Sequence, residues 1–255
     1  MGLRLDRAES CPLNPPHHIT RMRMNRQAIL VACLALIALL AGCVSLNGAE
    51  AKGQSGGWEV LFDGNSTRHW RGYRQDSFPT TTWEIKDGSL RTIPGDQGVD
   101  IVTKEQYGNF ELELEWKVAP SANSGIMYRV AETTDEPWQT GPEMQVLDDD
   151  RHADGQNPLT SAGALYALIA PKNKKLNPVG QWNRTRVVVQ GNHVEHWLNG
   201  VKVVTYELGS AELNKRIAAS KFKDWPRFAK ETAGHIALQH HHDEVWYRKI
   251  RVRRR

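Results

Sequence analysis

The sequence predicts an all-β domain, a two-sheet sandwich of jelly-roll type with one short helix. The clearest sign is a hydrophobic period of two: Phe110, Leu112, Leu114 and Trp116 alternate with Glu111, Glu113, Glu115 and Lys117, as in a strand with one buried face. Turn signals recur at short intervals, including Lys86-Asp87-Gly88, Gly191-Asn192 and Asn199-Gly200; an Asn-Gly pair supplies the positive φ angles of a tight hairpin. Helical windows do not alternate with the strands, which argues against a parallel α/β layout.

The same patterns place roughly twelve strands, at residues 58–62, 82–85, 89–92, 110–117, 126–130, 143–147, 164–169, 186–190, 193–198, 201–206, 235–239 and 245–252. One helix is expected over 211–222, where Leu213, Ile217 and Phe222 share a face before Pro226 prevents continuation. It reads as a surface crossover. No repeat of 20–50 residues is visible, so one domain is the simplest organisation.

The N-terminal segment has a different logic. An unbroken apolar run at 28–40 follows Arg21, Arg23 and Arg26, the layout of a secretory signal. Its 13 residues fall short of the roughly 20 that a spanning helix needs. Leu40-Ala41-Gly42-Cys43 then resembles the bacterial lipobox, in which the Cys thiol is lipidated and becomes the first mature residue. Residues 1–43 are therefore read as an export signal ending in lipidated Cys43, 44–57 as a Gly-rich tether and 58–255 as the folded domain. The expected location is the periplasm, lipid-anchored to the envelope, with no other membrane contact. Met22 and Met24 are alternative starts, since the first 21 residues fit no export logic.

Cysteine and charge agree with this division. Cys11 and Cys33 precede the cleavage point and lipid would consume Cys43, leaving the domain without a disulfide and dependent on its core. Of the 33 Lys and Arg, 5 precede Cys43, as do 2 of the 29 Asp and Glu, so the mature charge is about +1. Nothing in that balance selects nucleic acid as a partner. The basic end Arg251-Val252-Arg253-Arg254-Arg255 reads as a solvated strand end or tail.

An ordered series of landmarks runs through the domain. It comprises Trp58-Glu59-Val60-Leu61-Phe62-Asp63-Gly64, Trp83 with Asp87-Gly88, Phe110-Glu111-Leu112, Asn123-Ser124-Gly125-Ile126 with Arg129, and Glu143-Met144-Gln145-Val146-Leu147-Asp148. It continues through Gly163-Ala164-Leu165-Tyr166, Gln181-Trp182-Asn183, Trp197-Leu198-Asn199-Gly200 and Gly234-His235-Ile236-Ala237-Leu238-Gln239. Together these resemble the 3-keto-disaccharide hydrolase family, also described as 3-keto-glucoside 1,2-lyases and 3-keto-2-hydroxyglucal hydratases. The resemblance implies a concanavalin A-like sandwich, a 3-keto sugar as substrate, and functional coupling to a sugar 3-dehydrogenase that makes the ketone. It departs at Gln239-His240-His241-His242, where the family carries Gln-Asp-His-Gly, so His241 aligns with the family His.

The residues themselves suggest a chemistry. Period two puts Glu143 and Gln145 on one face of their strand and Met144 and Val146 on the other, although any half-exposed strand shows the same. The next position on the polar face is Leu147, so this strand lacks the carboxyl pair of ordinary glycoside hydrolysis. Cleaving the 3-keto sugar that the resemblance implies needs less: a base for the C2 proton, an acid, and a group that stabilises the enolate. Glu143 or His241 is the candidate base, and Arg129 the candidate enolate stabiliser, or else a surface ion-pair partner. Gln145, Asp148, Tyr166 and Gln239 are candidate hydroxyl-binding groups.

Among the aromatics, Trp70, Tyr73, Trp138 and Trp182 are placed in loops, with Trp138 the best sugar-stacking candidate. Trp83, Trp116 and Trp197 are assigned to the core. On a strand His240 and His242 would share a face, but three adjacent His are no zinc spacing. No metal or cofactor is therefore expected, and Asp148 or Asp243 would have to complete any metal site. No phosphate loop or nucleophile elbow is present. The rival to an enzyme is a non-catalytic carbohydrate-binding lipoprotein on the same fold.

Overall fold

The computed structural model describes residues 57–255; the signal, the lipobox with Cys43 and nearly all of the tether lie outside them. The strands are β1 (Glu59–Phe62), β2 (Trp70–Gly72), β3 (Trp83–Lys86), β4 (Ser89–Thr92), β5 (Ile101–Thr103), β6 (Phe110–Val118), β7 (Asn123–Val130), β8 (Glu143–Leu147), β9 (Asn183–Gln190), β10 (His193–Leu198), β11 (Val201–Glu207), β12 (His235–Leu238) and β13 (Val245–Arg254). Among the described residues one α-helix, α1 (Ala211–Ala218), follows β11. An eight-stranded sheet is ordered β11-β10-β9-β6-β13-β4-β3, with β1 also on β13; a five-stranded sheet is ordered β2-β5-β12-β7-β8. The chain crosses repeatedly between the two antiparallel sheets, giving the jelly-roll sandwich that the period-two pattern predicts.

Alternation decides what each face does. Phe110, Leu112, Leu114 and Trp116 of β6 meet Ile126, Tyr128, Met144 and Val146 of the smaller sheet in a continuous core. Buried indoles keep their N–H groups satisfied: Trp70 donates to Leu61 O at 3.0 Å, Trp83 to Val99 O at 2.7 Å and Trp116 to Thr185 Oγ1 at 2.9 Å. Trp70 thus belongs to a strand and the core, not to a loop, and Tyr73 just beyond it is also buried.

The outer face of the larger sheet is an ion-pair ladder. Glu111 accepts from Arg253, Glu113 from Arg251 and Glu115 from Arg248, the three β13 cations lying beside the three β6 carboxylates. Burial opposes ionisation of Glu113, yet Arg251 and Arg184 hold its carboxyl below the ordinary range. The basic C-terminus is therefore the solvated end of a paired strand, with Arg251 and Arg253 half-exposed, and not a free tail. Trp197 belongs to this outer face, with the Arg186 guanidinium 4.1 Å from its ring centroid. Trp182 lies under Arg248 at 3.9 Å. Neither is core.

Three further expectations change. β2 and β5 span three residues each, too few for a period to show. Residues 164–169 are a turn and not a strand: Gly163 and Ala167 have φ of +86° and +58°, and Leu165 N donates back to Ile169 O at 3.0 Å. The helix stops at Ala218, because Ser220 accepts from Phe222 N at 3.1 Å and starts a separate 3-10 turn, Lys221–Asp224.

Candidate active site

The polar face of β8 opens onto a cavity of about 550 Å³, within the roughly 300–1,000 Å³ usual for small-ligand sites. β8 pairs with β7 so that Gln145 lies opposite Gly125 and Glu143 opposite Met127. A Cβ on Gly125 would stand 2.0 Å from Glu143 Oε1, so the glycine leaves the space that the carboxyl occupies. Met144 and Val146 turn into the core, as alternation requires.

The floor is polar and short of partners. Glu143 is 5% exposed, and burial pushes its carboxyl up to about 8, with Lys221 pulling the other way and Asp100 adding to the rise. No described residue hydrogen-bonds that carboxyl. Gln145 donates from Nε2 to Asn123 Oδ1 at 3.3 Å, while its Oε1 is buried without any partner. An orphan acceptor on a cavity floor is a place for a ligand hydroxyl or water.

Asp100, just before β5, enters the same cavity. Its Oδ1 accepts the backbone N–H of His240 at 2.7 Å, and burial pushes its carboxyl up to about 7 despite that bond. Sequence reasoning missed Asp100, because an Asp that follows the loop-like segment Pro94-Gly95-Asp96-Gln97-Gly98-Val99 carries no periodic signal. It supplies the second carboxyl that the β8 strand lacks.

The wall is aromatic. Trp138, on the 3-10 turn Pro137–Gln139, packs edge-on to Trp225 at 5.5 Å between centroids. Tyr166 donates to Asp154 Oδ2 at 3.2 Å, and burial raises the pKa of its phenol. Lys221 stands over both rings, at 4.8 Å from Trp138 and 4.4 Å from Tyr166, and was not singled out from sequence.

The three histidines lie in the loop after β12, which ends at Leu238, and not on a strand. His240 turns inward: its Nε2 bonds Ile93 O at 3.0 Å, its Nδ1 accepts from His242 N at 3.3 Å, and its ring meets Trp83 edge-on at 6.0 Å. His241 is exposed at the cavity rim, and partial desolvation lowers its pKa, which keeps the imidazole neutral and able to accept a proton. Gln239 lines the same rim. Its carbonyl accepts from Ser124 Oγ at 2.6 Å, which fixes the start of the loop. Among the described residues no group of three or more His, Cys, Asp or Glu stands in metal-binding geometry. Asp243, a possible ligand by sequence, accepts the Asn123 N–H at 2.9 Å.

Two expected site residues lie elsewhere. Arg129 sits in a β-bulge where β7 shifts register against β12, at φ +52°, and its guanidinium donates to Gly108 O at 3.0 Å and Gly191 O at 2.8 Å. It staples loops together outside the cavity, because the bulge reverses the direction that alternation leaves open. Asp148 organises its own loop, accepting from Ser121 N at 2.7 Å and Asp150 N at 3.1 Å. The structure thus brings together Glu143, Gln145, Tyr166, Trp138, Gln239 and His241, with Asp100 and Lys221 added and Arg129 and Asp148 removed.

Comparison with known proteins gives a consistent pattern. The 3-keto-alpha-glucoside-1,2-lyase-like domain matches residues 57–253. A 3-keto-disaccharide hydrolase of Bacteroides thetaiotaomicron is 34% identical over 228 residues, covering 77% of this chain and 78% of that protein. A Parabacteroides distasonis protein assigned to the glycosyl hydrolases superposes with a TM-score of 0.72 at 30% identity, over 77% of this chain and 93% of that one. A second from the same organism gives 0.62 at 26%, over 78% and 100%.

Proposed function

This chain belongs to the 3-keto-alpha-glucoside-1,2-lyase-like family, and on that footing we propose that it cleaves 3-keto-glycosides by C2 proton abstraction, elimination and hydration. The observation that carries the reading is the Glu143 carboxyl, buried on the cavity floor and free of hydrogen bonds from the described residues. A ketone at C3 acidifies the C2 proton. Glu143 takes that proton, and an enolate forms. The enolate collapses and the C1–O bond breaks, the departing oxygen taking a proton; water then adds at C1 and a proton returns to C2. A base with its pKa near the working pH suits the first step. Asp100, held near neutrality, and the neutral His241 at the rim are the groups available to give and accept the remaining protons.

Acidic, amide and cationic side chains converge in one cavity, which favours catalysis over simple sugar binding. Asp100 also keeps an ordinary two-carboxyl glycosidase in view. One assay separates the readings: purified protein with 3-keto-lactose and 3-keto-trehalose beside the unoxidised parent sugars. Release of the matching free 3-keto-hexose, 3-keto-galactose from 3-keto-lactose and 3-keto-glucose from 3-keto-trehalose, with no release from the parents, is the expected result. Equal turnover of the parents would identify a glycosidase, and no turnover on a broad keto-sugar panel would leave a binding protein.

Gln145 carries a narrower expectation. Its orphan Oε1 can accept a substrate hydroxyl but cannot exchange a proton, so Gln145→Ala should raise KM roughly tenfold while changing kcat less than about threefold. Steady-state kinetics on a 3-keto-disaccharide check this; a loss confined to kcat would contradict it.

The reading extends to location. The run 28–40 with Leu40-Ala41-Gly42-Cys43 supports a lipid-anchored periplasmic enzyme whose ketone is made by a sugar 3-dehydrogenase. Labelled fatty acid should enter the chain and be lost on Cys43→Ser; labelling that survives the change would refute the anchor.

A further inference from the structure

With Arg129 turned away, the elimination proposed above lacks a group to carry the negative charge that appears on the ketone oxygen. Among the described residues lining the cavity, Lys221 is the one Lys or Arg. We propose that Lys221 is the catalytic cation of this site, donating an N–H to the C3 oxygen of a 3-keto sugar as that oxygen becomes an enolate.

The backbone at Lys221 is held on both sides. Ser220 caps the 3-10 turn through Phe222 N, and the buried Phe222 ring stacks on Phe228 at 3.9 Å with 11° between planes. The side chain then runs beneath a set of aromatic faces. Nζ lies 4.4 Å from the Tyr166 centroid, 4.8 Å from Trp138 and 5.3 Å from Phe222. Ring quadrupoles position an ammonium without using up its N–H donors, and no described carboxylate pairs with it within 4.0 Å. Burial lowers the pKa of the amine below the ordinary lysine value, and the nearby Glu143 and Asp154 carboxyls oppose that shift by favouring the ammonium. Lys221 is therefore placed by aromatic contact and left with donors for an oxygen in the cavity.

The chemistry asks for such a group. When Glu143 takes the C2 proton, the C–H electron pair moves to the C3 oxygen, and that oxygen lies in a cavity already lined by Asp96, Asp100, Glu136 and Glu143. A preorganised cation aimed where charge develops lowers that barrier more than it tightens substrate binding. No oxidant or covalent bond to the lysine is involved: Nζ keeps its three protons, and the ketone is re-formed as the C1–O bond breaks.

The inference rests on the proposed reaction, so its test must separate the two. Wild type, Lys221→Met and Lys221→Arg full-length proteins are compared in two measurements. One is cleavage of 3-keto-trehalose. The other is loss of the C2 proton signal in D2O from a 1,5-anhydro-3-keto-hexitol, which has no glycosidic leaving group at C1 and so reports proton abstraction without glycoside cleavage. The expected result is that Lys221→Met slows both by about 100-fold or more with KM changed less than about fivefold and an unchanged melting temperature, and that Lys221→Arg recovers at least roughly tenfold of the loss.

Exchange by Lys221→Met within about threefold of an active wild type would overturn the assignment, as would a loss lying entirely in KM. Borohydride trapping of the sugar on Lys221 would also overturn it, by showing an iminium in place of an ion. A wild type that neither cleaves nor exchanges any keto-sugar would remove the proposed reaction itself, and this role with it.

Discussion

Glu143→Gln is expected to lower kcat on a 3-keto-glycoside by roughly 100-fold or more while leaving KM within a few-fold. The amide fills the same space opposite Gly125 but cannot accept the C2 proton. With the wild-type carboxyl pushed up to about 8, the basic form accumulates as pH rises, so wild-type kcat/KM should climb toward pH 8 and the variant's residual rate should not follow. His241→Ala is expected to cost a similar factor if the imidazole carries the other proton; a wild-type rate in that variant would move this step to Asp100.

The same substitution has a stability signature. Folding raises the Glu143 pKa from 4.5 to about 8, so the fold favours the protonated carboxyl. That contribution is fully present below about pH 4.5 and is lost as pH rises through about 8. Glutamine does not ionise. The melting temperature of Glu143→Gln relative to wild type should therefore increase between pH 5 and pH 9, and Asp100, raised to about 7, should behave in the same sense. A difference that does not change with pH would mean that Glu143 is not desolvated in the free enzyme.

Gly125→Ala is the second large effect. The new Cβ would meet Glu143 Oε1 at 2.0 Å, Cδ at 2.7 Å and Cγ at 2.9 Å. Those atoms are the far end of a flexible side chain, so the fold can yield by swinging the carboxyl aside. Displacing a catalytic group by about 1 Å can cost on the order of 100-fold in rate. The variant should thus lose activity by that factor and keep its melting temperature within a few degrees. Gly234→Ala is the contrast, since its Cβ would meet backbone atoms, Arg129 C at 2.5 Å and Val130 O at 2.6 Å, which cannot rotate away. There the loss should appear in thermal unfolding first. An active Gly125→Ala enzyme would show that Glu143 does not need its observed position.

What could be read from sequence follows the reach of local rules. Period-two alternation located β6 and β8 and put Glu143 and Gln145 on one face, because a strand's side-chain direction is set within the strand itself. The hairpin at Asn199-Gly200 was legible for the same reason: Asn199 and Gly200 take φ of +47° and +80°. Alternation left the direction of Arg129 open and misjudged the histidine loop, where the chain departs from a regular strand. A bulge at Arg129 and an early strand end at Leu238 each re-aim side chains that sequence spacing would place otherwise. The strand assigned to 164–169 failed because an apolar run spells a buried turn and a buried strand alike, and the left-handed φ at Ala167 leaves no mark in the sequence.

By itself, then, the sequence determined the sandwich, the polar face of β8 and the family to which the domain belongs. Only the tertiary structure decided which charged groups share the cavity. Asp100 arrives from the end of β5, Lys221 from a turn 121 residues further on, and Arg129 leaves to staple the loops at Gly108 and Gly191. The physical reason is that strand periodicity is a property of neighbours along the chain, whereas a buried carboxyl's pKa and a lysine's aromatic cradle depend on groups that meet only once both sheets have closed.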